Sequence, residues 1–243
     1  AARSRPGVEA VYTASDLTSL GGLPCRAALK NAQGEPAFIP HRPILDEDKV
    51  LFVGQAIAAV VAQTPEQAAD AVEAIDLSVD DLPACSDLSA ALNPDTSPIH
   101  DARTDNLCVH FEQGSATDVD QALASSAYRI SVSLVNNRVV PSPLEPRATL
   151  VEPADEGFKL YNPSQGALGQ RAVLAKVFSL PADQIRVISP DTGGGFGVRG
   201  EVHSEVCVAA FAAMALNKPI KYTGDRSEMF LSDNHGRDNL TEV

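Results

Sequence analysis

The arrangement of apolar and polar positions is most regular in the second half of the chain. Short apolar or alternating runs there are typical of strands, and longer apolar stretches are typical of helices. The predicted strands are 108–111, 128–140, 148–151, 158–161, 185–188 and 220–222, and the predicted helices are 116–125, 167–178 and 202–216. The last of these helices is apolar on most of its faces, so we expect it to be buried.

The first half of the chain has shorter patterns that are interrupted by proline. We expect strands at 8–12, 50–53, 56–62 and 76–80, and a helical turn at 15–20. A polar, proline-bearing stretch at 93–106 then predicts a linker. The pattern therefore predicts an α+β protein with two domains, at 1–92 and 107–243.

One helix start in the first half is well marked. In Thr64-Pro65-Glu66-Gln67, the threonine can cap a helix, proline suits its first position and the glutamine completes a capping box. We expect this helix to cover 66–74. The side chains that helical spacing turns inward are Ala69, Val72 and, just past the end, Ile75.

Composition and charge exclude several classes of function. The formal net charge is −13 over 243 residues, and no basic cluster occurs, which argues against nucleic acid as a partner. No run of eighteen apolar residues occurs, so no membrane span is expected. The cysteines are isolated and form no CxxC pair, which argues against an iron–sulfur or structural zinc site in this chain. Isolated thiols fit a reducing cytoplasm.

A glycine cluster, Gly193-Gly194-Gly195-Phe196-Gly197, lies between a predicted strand and a predicted helix. Ordering adjacent glycines costs more backbone entropy than ordering other residues, so their presence favours a place where backbone amides approach a ligand closely. At the entrance to a helix, such amides would favour anionic oxygen atoms. The alternative is a flexible surface loop.

Two other motifs suggest chemistry and have weaker support. Residues 195–200 formally match GxGxxG, and Asp225 closes the next strand, as in a dinucleotide-binding unit. However, extra residues separate the strand from the glycines, and Asp225 comes late. His203 and Glu205 form an HxE pair, but the PCxxC segment of zinc deaminases is missing.

Two polar segments allow both a structural and a functional interpretation. Glu145 and Arg147 lie among prolines at the end of a predicted strand, which favours a structural ion pair between them. Gln165 lies at a strand-to-helix turn, where its amide could donate a hydrogen bond to an oxo or phosphate ligand, or cap the helix.

Taken together, several segments occur in one order and at compatible spacing. They are Asn137-Arg138, Pro143-Leu144-Glu145-Pro146-Arg147, Ser164-Gln165, Ile185-Arg186-Val187 and Asp191-Thr192 with the glycine cluster. In this order they resemble the large, molybdenum-binding subunit of the xanthine oxidase, aldehyde oxidoreductase and carbon monoxide dehydrogenase family. Gly54-Gln55-Ala56-Ile57-Ala58 and the capped helix resemble the family's hammerhead domain. The resemblance covers almost the whole chain.

The resemblance implies a truncated, hammerhead-like α/β domain followed by the first part of a molybdopterin-binding domain. It implies that Gln165 hydrogen-bonds an oxo ligand of molybdenum without itself being a metal ligand. It implies that the backbone of Gly194, Gly195 and Gly197, with Phe196, lies against the metal and the dithiolene end of the pterin. No catalytic residue is expected in this chain, because the family's general-base glutamate lies downstream.

The implied function is hydroxylation of an aldehyde, N-heterocycle or related small substrate with water. The implied cofactor is molybdenum on molybdopterin, in its cytosine dinucleotide form. The implied partners are the rest of the molybdenum subunit, an iron–sulfur subunit and an FAD-carrying flavin subunit, all in the cytoplasm. Two alternatives remain open at this point: a non-catalytic scaffold or assembly subunit of such a complex, and a dinucleotide-binding domain.

Overall fold

The computed structural model describes residues 1–25 and 29–243. These residues divide into two compact units. Unit 1 consists of Ala1–Pro24, His41–Asp80 and Val140–Asn234, and unit 2 consists of Cys25–Pro40, Asp81–Val139 and His235–Val243. Each unit is assembled from separated stretches of chain. The domain boundaries predicted at 92 and 107 remain predictions.

Strands and helices are interspersed along the chain without a simple repeat. The strands are β1 (Val8–Thr13), β2 (Ala58–Ala62), β3 (Ser133–Asn136), β4 (Ala148–Pro153), β5 (Phe158–Tyr161), β6 (Ile185–Ile188), β7 (Ile220–Thr223) and β8 (Asn239–Glu242). The α-helices are α1 (Pro65–Glu73), α2 (Leu88–Ala91), α3 (Ala116–Ser125), α4 (Ala167–Phe178), α5 (Ser204–Leu216) and α6 (Arg226–Ser232). In the described part of the chain, no helix is long and apolar enough to cross a membrane.

The larger sheet of unit 1 has the strand order β6-β5-β4-β7. Strands β5 and β6 are parallel, whereas β4 is antiparallel to both β5 and β7. Parallel strands need a crossover connection, and α4 provides it between β5 and β6. Helix α5 packs against β4, β5 and β7, and α4 packs against β6. This mixture of parallel and antiparallel strands with helices confirms the predicted α+β class.

The core of unit 1 lies between this sheet and its helices. Val151 and Leu160 on the sheet and Leu174 on α4 have no exposed surface. Helix α5 buries seven residues, from Val206 to Ala213, as its apolar sequence predicts. Removal of this apolar surface from water is the main stabilising contribution to the unit.

A second, two-stranded sheet in unit 1 pairs β1 with β2 antiparallel, and α1 packs against β2. Thr64 caps α1, since its Oγ1 accepts a hydrogen bond from the Gln67 backbone N–H at 3.3 Å. The reciprocal half of the predicted capping box is absent among the described residues, where the buried Gln67 Oε1 has no partner. The prediction of the buried face was wrong: Ala71 is fully buried, whereas Val72 is half exposed. Several small apolar residues on α1 made both faces possible.

Three predicted strands, at 50–53, 76–80 and 108–111, do not form. Their apolar side chains are largely exposed, with Val53 at 77% and Val79 at 60%. Strand-forming residues become a strand only where a neighbouring strand pairs with them. For the same reason the long strand predicted at 128–140 shortens to β3, which pairs with β8 in unit 2.

Two elements near the end of the chain were not predicted. Helix α6 begins at an Asp225 cap, whose Oδ1 accepts a hydrogen bond from the Glu228 N–H at 2.8 Å. Strand β8 forms within the polar end of the sequence, where it pairs with β3. The aspartate cap followed three residues later by glutamate was a usable signal for α6.

Candidate cofactor-binding site

The glycine cluster follows the end of β6 after four residues and lies in a largely exposed loop. A 3-10 turn, Val198–Gly200, follows it directly, and α5 begins only at Ser204. The expectation that the glycines lie at the entrance to the helix was therefore wrong. The donors that this region offers are the amides of the loop itself, and not the amides of a helix end.

The loop is anchored at its two ends and free between them. The Gly193 N–H donates to Glu145 Oε2 at 2.8 Å, and the Gly197 N–H donates to Gln165 Oε1 at 2.9 Å. Among the described residues, the N–H groups of Gly194, Gly195 and Phe196 have no hydrogen-bond partner. Phe196 has a positive φ of 49°, which turns the backbone within this short segment. Successive free amides in such a turn form a concave site for anions.

Gln165 lies directly against the loop. Its backbone N–H donates to the Arg199 carbonyl at 3.1 Å, and its side-chain oxygen accepts the Gly197 bond described above. A Cβ on Gly195 would lie 2.4 Å from the Gln165 Cδ, so only glycine leaves room for this contact. Helix α4 has Gly166 at its cap position and no side-chain cap, so Gln165 does not cap the helix. Within the described chain, the side-chain NH₂ of Gln165 has no partner and can donate to a ligand.

Gln170 of α4 holds the turn after the loop through hydrogen bonds to its backbone. This side chain is almost fully buried, and its Nε2 donates to the carbonyls of Arg199 and Glu201 at 3.4 and 2.9 Å. Its Oε1 accepts from Asn162 Nδ2 at 2.9 Å. A buried amide whose oxygen and nitrogen both have partners holds the backbone in one place. Gln170 was not predicted, because nothing in its sequence context separates it from a surface glutamine.

The predicted ion pair between Glu145 and Arg147 is wrong. Arg147 is buried and pairs with Glu205, whose Oε1 is 2.5 Å from the arginine Nε, and with Asp233. Ser232 Oγ accepts a third hydrogen bond from Arg147 at 2.7 Å. Burial acts to lower the pKa of Arg147, but the nearby carboxylates of Glu205 and Asp233 raise it overall.

Arg199 lies beneath the loop and is also buried. Its Nη2 donates to the Glu145 carbonyl, and its Nε has no hydrogen-bond partner among the described residues. Burial lowers the pKa of Arg199, and the carboxylate of Glu145 acts in the opposite direction. The guanidinium stays charged, because even a lowered arginine pKa lies far above neutral pH.

The cavity in this region is too small for a substrate. It lies between Arg147, Gln170 and Arg199 and has a volume of about 10 Å³, which is room for one water molecule. The glycine loop itself is largely exposed and so is accessible to a larger ligand. Exposed apolar side chains in this part of unit 1 include Phe196 at 75% and Leu144 at 92%.

The geometry excludes the two competing motifs. A dinucleotide-binding unit needs a glycine loop that opens a helix on a parallel sheet, but here a separate turn precedes α5 and β4 is antiparallel to both neighbours. Asp225 caps α6. The HxE pair has structural partners, since His203 Nε2 lies 2.9 Å from the Val198 carbonyl and Glu205 pairs with Arg147. No metal-ligating cluster of His, Cys, Asp or Glu occurs among the residues described.

Free loop amides beside a carboxamide donor are groups that favour an oxygen-rich, anionic ligand. Residues 99–243 match the family model described as molybdopterin cofactor-binding domain. Residues 1–83 match the one described as the a/b hammerhead domain of aldehyde oxidase and xanthine dehydrogenase. The chain belongs to the molybdenum hydroxylase family of xanthine dehydrogenase, aldehyde oxidoreductase and carbon monoxide dehydrogenase large subunits.

Individual relatives agree with this assignment. The gamma subunit of the 6-hydroxypseudooxynicotine dehydrogenase complex of Paenarthrobacter nicotinovorans is 33% identical over 240 residues, which cover 98% of this chain and 30% of that protein. The carbon monoxide dehydrogenase large chain of Hydrogenophaga pseudoflava is 32% identical over 254 residues, which cover 98% of this chain and 30% of that protein. The crystal structure of quinoline 2-oxidoreductase from Pseudomonas putida 86 matches with a TM-score of 0.88 and 27% identity, over 99% of this chain and 30% of that one. The chain thus spans about 30% of the length of these relatives.

Proposed function

We propose that this chain forms one wall of a molybdenum–molybdopterin site in a molybdenum hydroxylase. The observation that carries the proposal is the row of free N–H groups at Gly194, Gly195 and Phe196, next to the free NH₂ of Gln165. Backbone amides presented in this way favour anionic oxygen atoms and need no reorganisation when the ligand arrives.

The donor set fits the proposed cofactor. The loop amides and the Gln165 amide supply only hydrogen-bond donors, and the pterin phosphate and metal-bound oxygen atoms are acceptors. Glycine at position 195 lets the Gln165 carboxamide lie against the loop, so the side-chain donor and the backbone donors are adjacent. In this proposal Gln165 and the Gly194–Gly197 backbone, with Phe196, orient the cofactor and make no covalent bond to it.

When bound, the cofactor would supply the chemistry, an oxidative hydroxylation of a small molecule with water as the oxygen source. This chain's residues would supply orientation and electrostatic stabilisation. The general base and most of the substrate pocket would come from other parts of the enzyme. The substrate in this proposal is a small molecule of the kinds this family hydroxylates or oxidises: aldehydes, N-heterocycles or carbon monoxide.

We further propose the cytosine dinucleotide form of the cofactor, and iron–sulfur and FAD-carrying partner subunits. The relatives support a multi-subunit assembly, since one is named the gamma subunit of a complex and another a large chain. The cytoplasm is the proposed location, in agreement with four cysteines that form no disulfide.

The proposal is tested by metal and pterin analysis of the assembled enzyme that contains this chain. We expect about one molybdenum and one pterin per molybdenum subunit. In a Gln165→Ala variant, activity should collapse while the thermal midpoint of the cofactor-free protein falls only slightly, because Gln165 is exposed and loses one hydrogen bond. Gln121→Ala, on the exposed side of α3, is the matched control. An active enzyme without molybdenum or pterin would overturn the proposal, and unchanged activity in Gln165→Ala would favour a scaffold role.

A further inference from the structure

The segment that precedes the buried Arg147 is held by two other arginines. Arg226 donates to the carbonyls of Pro143 and Leu144, the second at 2.6 Å. Arg199 donates to the carbonyl of Glu145. Three consecutive carbonyls therefore each accept a hydrogen bond from a guanidinium, which fixes the backbone on which the Glu145 side chain is carried.

Glu145 contacts Gly193 through both its backbone and its side chain. Its backbone N–H donates to the Gly193 carbonyl at 3.2 Å, and its Oε2 accepts from the Gly193 N–H at 2.8 Å. A Cβ on Gly193 would lie 2.6 Å from the Glu145 Cβ, so the two backbones approach as closely as glycine allows. The half-buried Glu145 is therefore the fixed point at which the glycine loop begins.

The free donors of the loop lie between two anchors. Glu145 holds the amide of Gly193, and Gln165 holds the amide of Gly197. The amides of the three residues between them stay free, and their directions depend on both anchors. We propose that Glu145 is a positioning residue, which aims the N–H groups of Gly194 to Phe196 at the anionic oxygens of the cofactor. This inference rests on the proposed function above.

A carboxylate next to an anion site is unfavourable unless a cation offsets its charge, because like charges repel. Arg199 offsets the charge, since its guanidinium contacts the same residue. The hydrogen bond from the Gly193 N–H requires an acceptor atom at position 145 as far from the backbone as the carboxylate of a glutamate. The charge itself is not required, so glutamine should replace glutamate and aspartate, one methylene shorter, should not.

The experiment compares Glu145→Gln with Glu145→Asp in the assembled enzyme that contains this chain. The measured quantities are molybdenum and pterin per protein after purification, and the thermal midpoint of protein made without cofactor. We expect Glu145→Gln to retain cofactor at the wild-type level and Glu145→Asp to retain about tenfold less, because the shorter side chain loses the hydrogen bond from the Gly193 N–H. Glu73→Ala, at the exposed end of α1, should match the wild type.

The thermal midpoints of the two variants without cofactor should differ only slightly, because they differ by one exposed hydrogen bond, and this separates positioning from folding. Full cofactor retention in Glu145→Asp would overturn the inference. A glutamine variant that loses as much cofactor as the aspartate variant would also overturn it, because charge rather than reach would then matter. Wild-type enzyme without molybdenum and pterin would instead overturn the proposed function on which the inference depends.

Discussion

Replacing Gly195 with alanine should impair cofactor binding while leaving the protein folded. The new Cβ would lie 2.4 Å from Cδ and 2.5 Å from Oε1 of Gln165, closer than any real contact allows. The φ of Gly195 is not positive, in contrast to those of Gly194 and Gly197, so alanine suits the backbone there. The Gln165 side chain is flexible and exposed, and we expect it to rotate away and give up its bond to Gly197.

The free energy of unfolding should fall only slightly, whereas metal affinity should fall strongly. Loss of one exposed hydrogen bond lowers the free energy of unfolding by about 0.5–1.5 kcal/mol. Loss of an outer partner that orients a metal centre typically weakens metal affinity or activity by about 10- to 100-fold. Gly195→Ala should therefore purify as a folded protein with little molybdenum.

The assay is metal analysis and specific activity of the assembled enzyme, beside thermal unfolding of the cofactor-free form. The matched control is Gly169→Ala on α4, where an added Cβ meets nothing within 4 Å. Alanine in place of glycine inside a helix should stabilise the protein by about 0.5–1 kcal/mol without affecting the site. A Gly195→Ala enzyme with full molybdenum and activity would refute the reasoning.

Three further predictions concern the framework that carries the site. Leu160→Ala, at a fully buried position of β5, should lower the free energy of unfolding by about 2–5 kcal/mol in urea titrations, and a loss under 1 kcal/mol would contradict the described core. Asp233→Ala should cost about 3–5 kcal/mol in the same assay, because it leaves the buried Arg147 without one of its carboxylates, and a neutral effect would show that this pair is solvated. Burial, with the nearby Glu205 carboxylate, raises the pKa of the Cys207 thiol. Iodoacetamide at about pH 8 should therefore modify this thiol only after unfolding in urea, and modification of the native protein would contradict its burial.

The elements around the core could be predicted from the sequence, and the reason is physical. Strands β5 and β6 and helix α4 have the predicted bounds, and most of their large apolar residues pack in one buried core. The exposed runs at 50–53 and 76–80 show the limit of this approach. A segment with a local preference for strand forms one only when a partner strand pairs with it. The sequence of the segment alone does not show whether such a partner exists.

The residues of the candidate site likewise include some that the local sequence predicts and some that it does not. The glycine cluster and Gln165 were predicted, because adjacent glycines and a polar residue at a strand end are local signals. The partners of Arg147 were not, since Glu205 and Asp233 lie 58 and 86 residues further along the chain. Gln170 was missed because its importance comes from complete burial, which only the folded chain shows.

The most direct test of the central claim is a crystal structure of the assembled enzyme with its cofactor bound. The account predicts oxygen atoms of that cofactor within hydrogen-bond distance, about 2.7–3.2 Å, of Gln165 Nε2 and of backbone nitrogens between Gly194 and Phe196. A structure in which this loop faces solvent, with the cofactor bound elsewhere, would contradict it.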